Sequence, residues 1–558
     1  MSEIYKERTR AQESTNAIER LYISMRHLFS RGFYKPMGVS GEALRKSLLL
    51  LRPEIYGSIA ENKTELNGLT YVIERLPEGI EECQFINLTA DEGYRNSHFK
   101  VIVPPKRRRN CYRIDKDQMN IEITRGRSDI YDILTHLTFL FIESHKIKER
   151  VLISDGKKTT REWQNLENVV LNNTTLSDED KDVLIVHLAN ILGRTYEEVY
   201  KSYNTFTTEE NPYRFFHLIY WLGKLAINEE LYDKKRSIHF SATLSEEIGR
   251  HYYGEVWAND IKKVLSENNL LSRPIHIISA NMHSVLNTIY AHEALPKEAK
   301  EHEDFGLYEL LSSSDSKPLQ TIVKNFAAEN GLIYLKDRSG TNINVQIIDT
   351  EKINFASPFK VEEIESPKPV IIVMDYAFGE QAYETMDELL KPYKTAKEAI
   401  HLNVKSVSIM GKAGILEGGK GDIMIPSAHI FEGTADNYPF KNELTKEDLE
   451  GFGVQVFDGA MVTVLGTSLQ NKDLLKFFHD STWNVIGLEM EGAHYQKAIQ
   501  SASKIRGNIC DDVKVRYAYY ASDNPLETGA TLASGGLGMS GVTPTYAITQ
   551  KIVEQILK

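Results

Sequence analysis

The stretch Gly487-Leu488-Glu489-Met490-Glu491-Gly492-Ala493-His494 decides how this chain is read. It follows Trp483-Asn484-Val485-Ile486, so an apolar run ends in an acidic turn, and small residues then open a helix. That is the join between a buried strand and the helix after it. About thirty residues on, Tyr520-Ala521-Ser522-Asp523-Asn524-Pro525-Leu526 repeats the pattern, with a run from Val515 to Ala521 ending in a polar turn.

Working outward from this pair, residues from Val370 onward alternate in the same way. Strands are expected at Val370 to Met374, Val404 to Met410, Asp422 to Pro426, Val454 to Thr463, Trp483 to Leu488 and Val515 to Ala521. Helices are expected around Thr385 to Tyr393, through Leu474, after Glu491 and from Thr543 to Leu557, and Gly411 to Gly414 reads as a glycine-rich turn. Such alternation predicts an α/β fold with a mostly parallel mixed sheet and helices on both faces. Ligands then bind at loops following the strand C-termini.

Upstream the texture differs. Residues 1–235 read as a mainly helical α+β region with a small sheet: helices at Thr9 to Arg31, from a cap at Ser40, Asp129 to Val151, Ser177 to Leu192 and Pro212 to Ile227. Its strands are expected at Tyr71-Val72-Ile73, Phe85 to Leu88, Val101 to Val103 and Asn120 to Ile123. Residues 236–360 read as a separate α/β or α+β module, with a strand at Pro274 to Ala280, a helix capped at Asn281 and a hairpin over 331–348. The charged, proline-bearing Glu362 to Pro369 reads as the linker to a third domain, 361–558.

Three domains at about 100 to 200 residues each, or two large ones, suit 558 residues. A net charge of -12 argues against coating nucleic acid, which needs a basic surface. Three widely spaced cysteines give neither a disulfide framework nor a metal finger. The segment Met1 to Arg8 lacks the apolar core of a secretion signal, and the most apolar helical runs, Ile133 to Ile142 and Phe215 to Ile227, are shorter than the roughly 20 residues a bilayer requires. A cytoplasmic location without membrane or nucleic-acid partners is expected.

Five motifs stand in order along the last third: Met410-Gly411-Lys412-Ala413-Gly414-Ile415-Leu416, Gly421-Asp422-Ile423-Met424-Ile425-Pro426, Glu432-Gly433-Thr434, Leu488-Glu489-Met490-Glu491 and Ala521-Ser522-Asp523-Asn524-Pro525. In these residues the chain, over about 370–558, resembles the nucleoside phosphorylase and nucleosidase superfamily, and within it the AMP nucleosidases. The resemblance implies a phosphorylase-like domain, a small-molecule purine nucleoside or nucleotide substrate, no cofactor, no metal and a homo-oligomer. It implies that Glu491 accepts hydrogen bonds from the ribose hydroxyls, that Met490 packs on the sugar, and that Asp523 is the acid that protonates the purine ring. The remaining substrate-binding positions it implies are Gly379, Gly411, Lys412, Ala413, Gly414, Glu432, Thr434, Glu489 and Ser522. Glu380 and Asp375 are the candidates to activate water, with Glu380 the third catalytic position. Taken singly, a Glu-x-Glu at a helix start is also a dipole-matched first turn, and Ser-Asp-Asn-Pro is also an ordinary turn.

Between Val361 and Ile505 there is no arginine. Bidentate phosphate recognition is therefore poorly supplied, which favours hydrolysis over phosphorolysis. A 5'-phosphate would have to be met by Lys412, by a neighbouring subunit, or by Lys106-Arg107-Arg108-Arg109, a run that otherwise reads as a solvated loop. Phosphorolysis, and binding of a nucleoside without turnover, are the alternatives. The histidines at 136, 145, 276, 283 and 292 have no metal-binding spacing and read as core or capping residues.

Overall fold

The computed structural model describes residues 9–153, 158–172, 176–302, 305–355, 358–434, 436–527 and 537–558. Met1 to Arg8, read above for a secretion signal, lie outside them. The chain forms two compact units: Met1–Thr124, Asp129–Arg250 and Ser468–Leu474 make the first, and Arg125–Ser128, His251–Thr467 and Leu475–Lys558 the second.

The first unit opens with α1 (Arg10–Arg31), started by a capping box between Thr9 and Gln12 and ended by Gly32 in the left-handed conformation. Its buried stripe of Ala17, Ile18, Leu21, Met25 and Leu28 follows the three-and-four spacing of the sequence. After β1 (Phe33–Tyr34) comes α2 (Glu42–Leu51). Ser40 does not cap it, because its hydroxyl is bonded to the backbone of Lys35.

The expected strand at Tyr71-Val72-Ile73 is the last turn of α3 (Leu66–Ile73). The Glu65 side chain caps the amides of Asn67 and Gly68, and Leu66, Leu69 and Val72 are buried at helical spacing. Local β-propensity gives way to the longer period and its cap. The sheet is instead built from β2 (Phe85–Thr89), β3 (Val101–Ile102), β4 (Cys111–Arg113), β5 (Gln118–Glu122) and β6 (Ser237–Phe240), ordered β1-β6-β2-β5-β4-β3. Helices α4 (Gly126–Val151), α5 (Arg161–Asn172), α6 (Asp178–Leu192), α7 (Tyr196–Phe206), α8 (Arg214–Leu231) and α9 (Ala242–Gly249) complete the run to the end of this part of the chain.

The basic run is neither a solvated loop nor an anion site at two of its four positions. Arg107 donates two hydrogen bonds to Asp132, at 2.9 and 2.6 Å, and buried Arg109 pairs with both Asp129 and Asp132. Burial opposes the charge on Asp132, but Arg107, His136 and Arg109 hold its carboxyl well below the usual range.

The second unit carries α10 (Tyr252–Glu267), β7 (Ile275–Ser279), α11 (Met282–Ala294), α12 (Pro296–Glu301), α13 (Gly306–Ser312), α14 (Lys317–Glu329), β8 (Leu332–Leu335), β9 (Val345–Asp349) and β10 (Val370–Met374). It continues with α15 (Gln381–Leu389), β11 (Tyr393–Lys394), β12 (Ala399–Ile400), β13 (Val404–Ile415), β14 (Ile423–Phe431), β15 (Asn437–Pro439), α16 (Lys446–Leu449), β16 (Val456–Thr463), α17 (Lys472–Asp480), β17 (Val485–Glu489), α18 (Gly492–Gln500), β18 (Lys514–Asp523) and α19 (Val542–Leu557).

One ten-stranded sheet runs β15-β14-β16-β17-β13-β7-β10-β9-β8, and β18 pairs with both β13 and β14. Strands β13, β17, β16, β14 and β18 thus close into a ring. Strands β9, β10 and β17 are buried on both faces, which is why they read as continuous apolar runs. In β10, Val370, Ile372 and Met374 join one core cluster while Ile371 and Val373 join another.

The module expected over 236–360 divides near 250: β6 joins the sheet of the first unit, and the chain from His251 onward belongs with the last third. β7 pairs in parallel with β10 and β13, and the hairpin β8–β9 extends the same sheet through β10. Glu362 to Pro369 is therefore a connection within one sheet, and the division of the chain falls near 250 instead of at 235 and 360. Among the described residues no helix is long and apolar enough to cross a membrane.

Candidate active site

The opening stretch folds as strand β17, a two-residue turn and helix α18. The first amides of a helix lack intrahelical partners, and Glu489 supplies them. One carboxylate oxygen accepts from the amides of Glu491 and Gly492, and the other accepts from the Thr463 hydroxyl, which itself accepts from Ala493 N at 2.8 Å. Both oxygens of Glu489, an expected substrate-binding position, accept hydrogen bonds within the turn, so its carboxylate caps the helix. Gly492 is required here because a methyl group would lie 2.2 Å from the His429 ring, which is buried and hydrogen-bonded to the Tyr519 hydroxyl at 3.2 Å.

Glu491 is differently placed. Its carboxyl accepts from Gly379 N at 2.8 Å and from Met490 N at 3.3 Å, both backbone amides. Burial and the neighbouring Glu489 raise its pKa to about 8, against the lowering effect of those two amides. Met490 packs with Leu526 against the apolar cluster of Leu416, Ile430, Val462 and Leu488.

Residues Gly411 to Gly414 are not a turn. They are the far half of β13, which leaves β7 at Ile409 and meets β17 at Gly414. The change of neighbour needs small residues: a methyl group on Gly487 would stand 2.6 Å from the Gly414 carbonyl oxygen. Register then fixes the site. Gly414 pairs with Leu488 on one side and with Asp523 on the other, so the two strand ends that carry Glu491 and Asp523 are second neighbours, about 10 Å apart at the backbone.

Asp523 is buried, and its Oδ1 accepts from the Ser522 hydroxyl at 2.5 Å. The same hydroxyl lies 3.1 Å from the Ala413 carbonyl oxygen. The Lys412 side chain is exposed and makes no hydrogen bond or ion pair with any described residue. Tyr376, in the loop after β10, places its ring 3.5 Å from where a methyl group on Gly411 would be, and its hydroxyl 3.5 Å from that of Tyr520.

That loop carries Gly379, whose φ of 57° few other residues tolerate. Glu380 donates its amide to the Ser128 hydroxyl at 2.8 Å and accepts at its carboxylate from Arg127 at 3.1 Å. The Arg125 guanidinium lies over the Phe378 ring, 4.7 Å from its centroid. Below the loop, buried Glu384 is raised to about 8 by burial and by the charge of Glu380. Arg125 to Ser128 belong to no motif of the sequence, and nothing local signals their role.

Two further expected positions follow β14. Thr434 is exposed and donates to Asp436 at 2.7 Å. Glu432 is buried and accepts from Leu465 N at 3.2 Å, bracing the start of the 464–467 turn. Asp375 accepts from the amide of Tyr376. The described residues also bring His251, Asp387 and Glu388 within 4.8 Å of one another. Asp387 is already paired with Arg506 and Glu388 with Lys391.

The closed ring of strands thus brings carboxyl groups to the ends of β17 and β18, second neighbours across β13. The chain belongs to the family of unknown function DUF6909, whose profile matches residues 42–299 and 289–558. No curated protein matches. Solved structures similar to part of the chain include the Campylobacter jejuni 5'-methylthioadenosine/S-adenosyl homocysteine nucleosidase, at 10% identity and a TM-score of 0.30, covering 51% of this chain and 98% of that one. Futalosine hydrolase of Helicobacter pylori is 13% identical with a TM-score of 0.29, covering 51% and 99%. Uridine phosphorylase from Schistosoma mansoni is 12% identical with a TM-score of 0.30, covering 51% and 87%. Likeness at that level brings no chemistry with it.

Proposed function

We propose that the C-terminal half hydrolyses the N-glycosidic bond of a purine nucleoside or nucleotide, releasing the free base and ribose or ribose phosphate. The observation that carries this is the pairing across Gly414, which sets Asp523 and the Glu491 turn on the two sides of one strand.

Glu491, fixed by two backbone amides, receives the ribose 2' and 3' hydroxyls. Hydroxyl donors favour its ionised form, so its charge appears where the sugar becomes cationic. Asp523 protonates the purine as the bond between C1' and nitrogen breaks and its electron pair leaves with the base. Water bonds to C1' and gives its proton to Glu380. Met490 offers an apolar floor to the sugar.

Water is favoured over phosphate by what the arginines of this part of the chain do. Arg506 is paired with Asp387 and Arg516 with Gln555, leaving Lys412 as the exposed cation in the half of β13 that pairs with β17. Incubation with AMP, adenosine and inosine, with and without phosphate, followed by chromatography of the released base, tests the proposal. Base release without phosphate is expected. Release that requires phosphate would make the protein a phosphorylase, and binding without release would make it a sensor.

A further inference from the structure

The loop that holds Glu491 is itself held by residues about 250 positions earlier in the sequence. Four contacts converge on three consecutive residues. Arg125 covers the Phe378 ring, a methyl group on Gly379 would meet Ser128 Oγ at 2.4 Å, and Glu380 is bonded through its amide to Ser128 and through its carboxylate to Arg127. Gly379, in its left-handed conformation, both admits Ser128 and turns its own N–H onto Glu491. The Gly379–Glu380 pair is thus clamped between the sugar-binding carboxyl on one side and the Arg127–Ser128 pair on the other.

We infer that Arg127 and Ser128 are positioning residues of the active site, Arg127 aiming the Glu380 carboxylate at the attacking water and Ser128 fixing the backbone that carries it. The inference rests on the glycosidase reading. It assigns to a part of the chain with no recognisable motif a share in the chemistry of the C-terminal half. The Arg127 side chain is about a quarter exposed and that of Glu380 less, so their bond is shielded from bulk water and holds its geometry better than a surface pair. A carboxylate left without that partner samples other rotamers, and misplacement of a reacting group by about 1 Å costs up to about 100-fold in rate.

The test is a double-mutant cycle on base release from the substrate that the wild-type protein cleaves best. Arg127→Ala is expected to lower kcat about 10- to 100-fold with KM changed less than about twofold. Arg127→Lys should restore most of the rate, because one donor to one carboxylate oxygen suffices. In an E380Q background, Arg127→Ala should cost nothing further, since its effect passes through Glu380. Ser128→Ala, measured in the same two backgrounds, repeats the cycle should Arg127→Ala fail to fold. Unchanged kcat in both single variants, or losses that multiply in the double variants, would overturn the inference while leaving the glycosidase reading intact. A wild-type protein that releases no base from any compound would overturn both.

Discussion

Two carboxyl-rich regions of this molecule, one in each unit, use the same residue types to opposite ends. In the first, Asp129 and Asp132 face Arg107 and Arg109, and Asp132 is driven well below the usual carboxylate range. In the second, Glu489 and Glu491 are raised to about 7 and 8, first by burial, and their carboxyls accept from backbone amides and the Thr463 hydroxyl. A buried charge answered by charge is architecture. A buried carboxyl answered only by neutral donors keeps its capacity to take a ligand or a proton.

The sharpest way to break this comparison is at Asp523. Asp523→Asn keeps the shape and removes the acid, and base release should fall about 10²- to 10⁴-fold with the thermal midpoint nearly unchanged. Near-normal turnover would remove Asp523 from the chemistry. Next in size, Arg109→Ala takes the guanidinium from buried Asp129 and leaves Asp132 to Arg107 and His136, and denaturant unfolding of the first unit should show a loss of about 3 to 5 kcal/mol. Activity per folded molecule should not change.

The two regions should also respond oppositely to pH. Carboxyls raised in the folded state bind protons that the unfolded chain has lost, so their contribution fades as pH rises from about 5 through 8. Asp132, lowered in the folded state, contributes above its unfolded value near 4, and that contribution is lost as pH falls below it. Hydrogen exchange across pH, followed in each unit, should show the two slopes. Glu384→Gln, which imitates the protonated form, should remove up to about 1.4 kcal/mol per pH unit from the slope of the second unit. The smallest effect is expected at Thr434→Ala, which lies on the surface and should leave kcat/KM within about twofold.

Much of the second unit was legible because strands buried on both faces leave unbroken apolar runs such as Val370 to Met374. The acidic turn and Ser522-Asp523 were legible as strand ends for the same reason. Gly411 to Gly414 was misread because glycine signals both a turn and a close approach of strands, and only the partner of β13 decides which. Glu489 and Glu491 look alike in sequence, and what separates them is the Thr463 hydroxyl and the Gly379 amide, contributed from elsewhere in the chain. Arg127 and Ser128 were illegible on principle, since no local pattern reports a partner 252 residues away.

The membership of Arg125–Ser128 in the second unit, and of Ser468–Leu474 in the first, bears on how the gene can be cut. A clone of codons 251 to 558 would encode a polypeptide missing one of its own four-residue pieces and burdened with seven residues that belong to the other unit. The same exchange makes independent inheritance of the halves costly, since recombination near position 250 parts Glu380 from Arg127 and Ser128. Dissection of this protein therefore calls for internal substitution, with both halves kept on one chain.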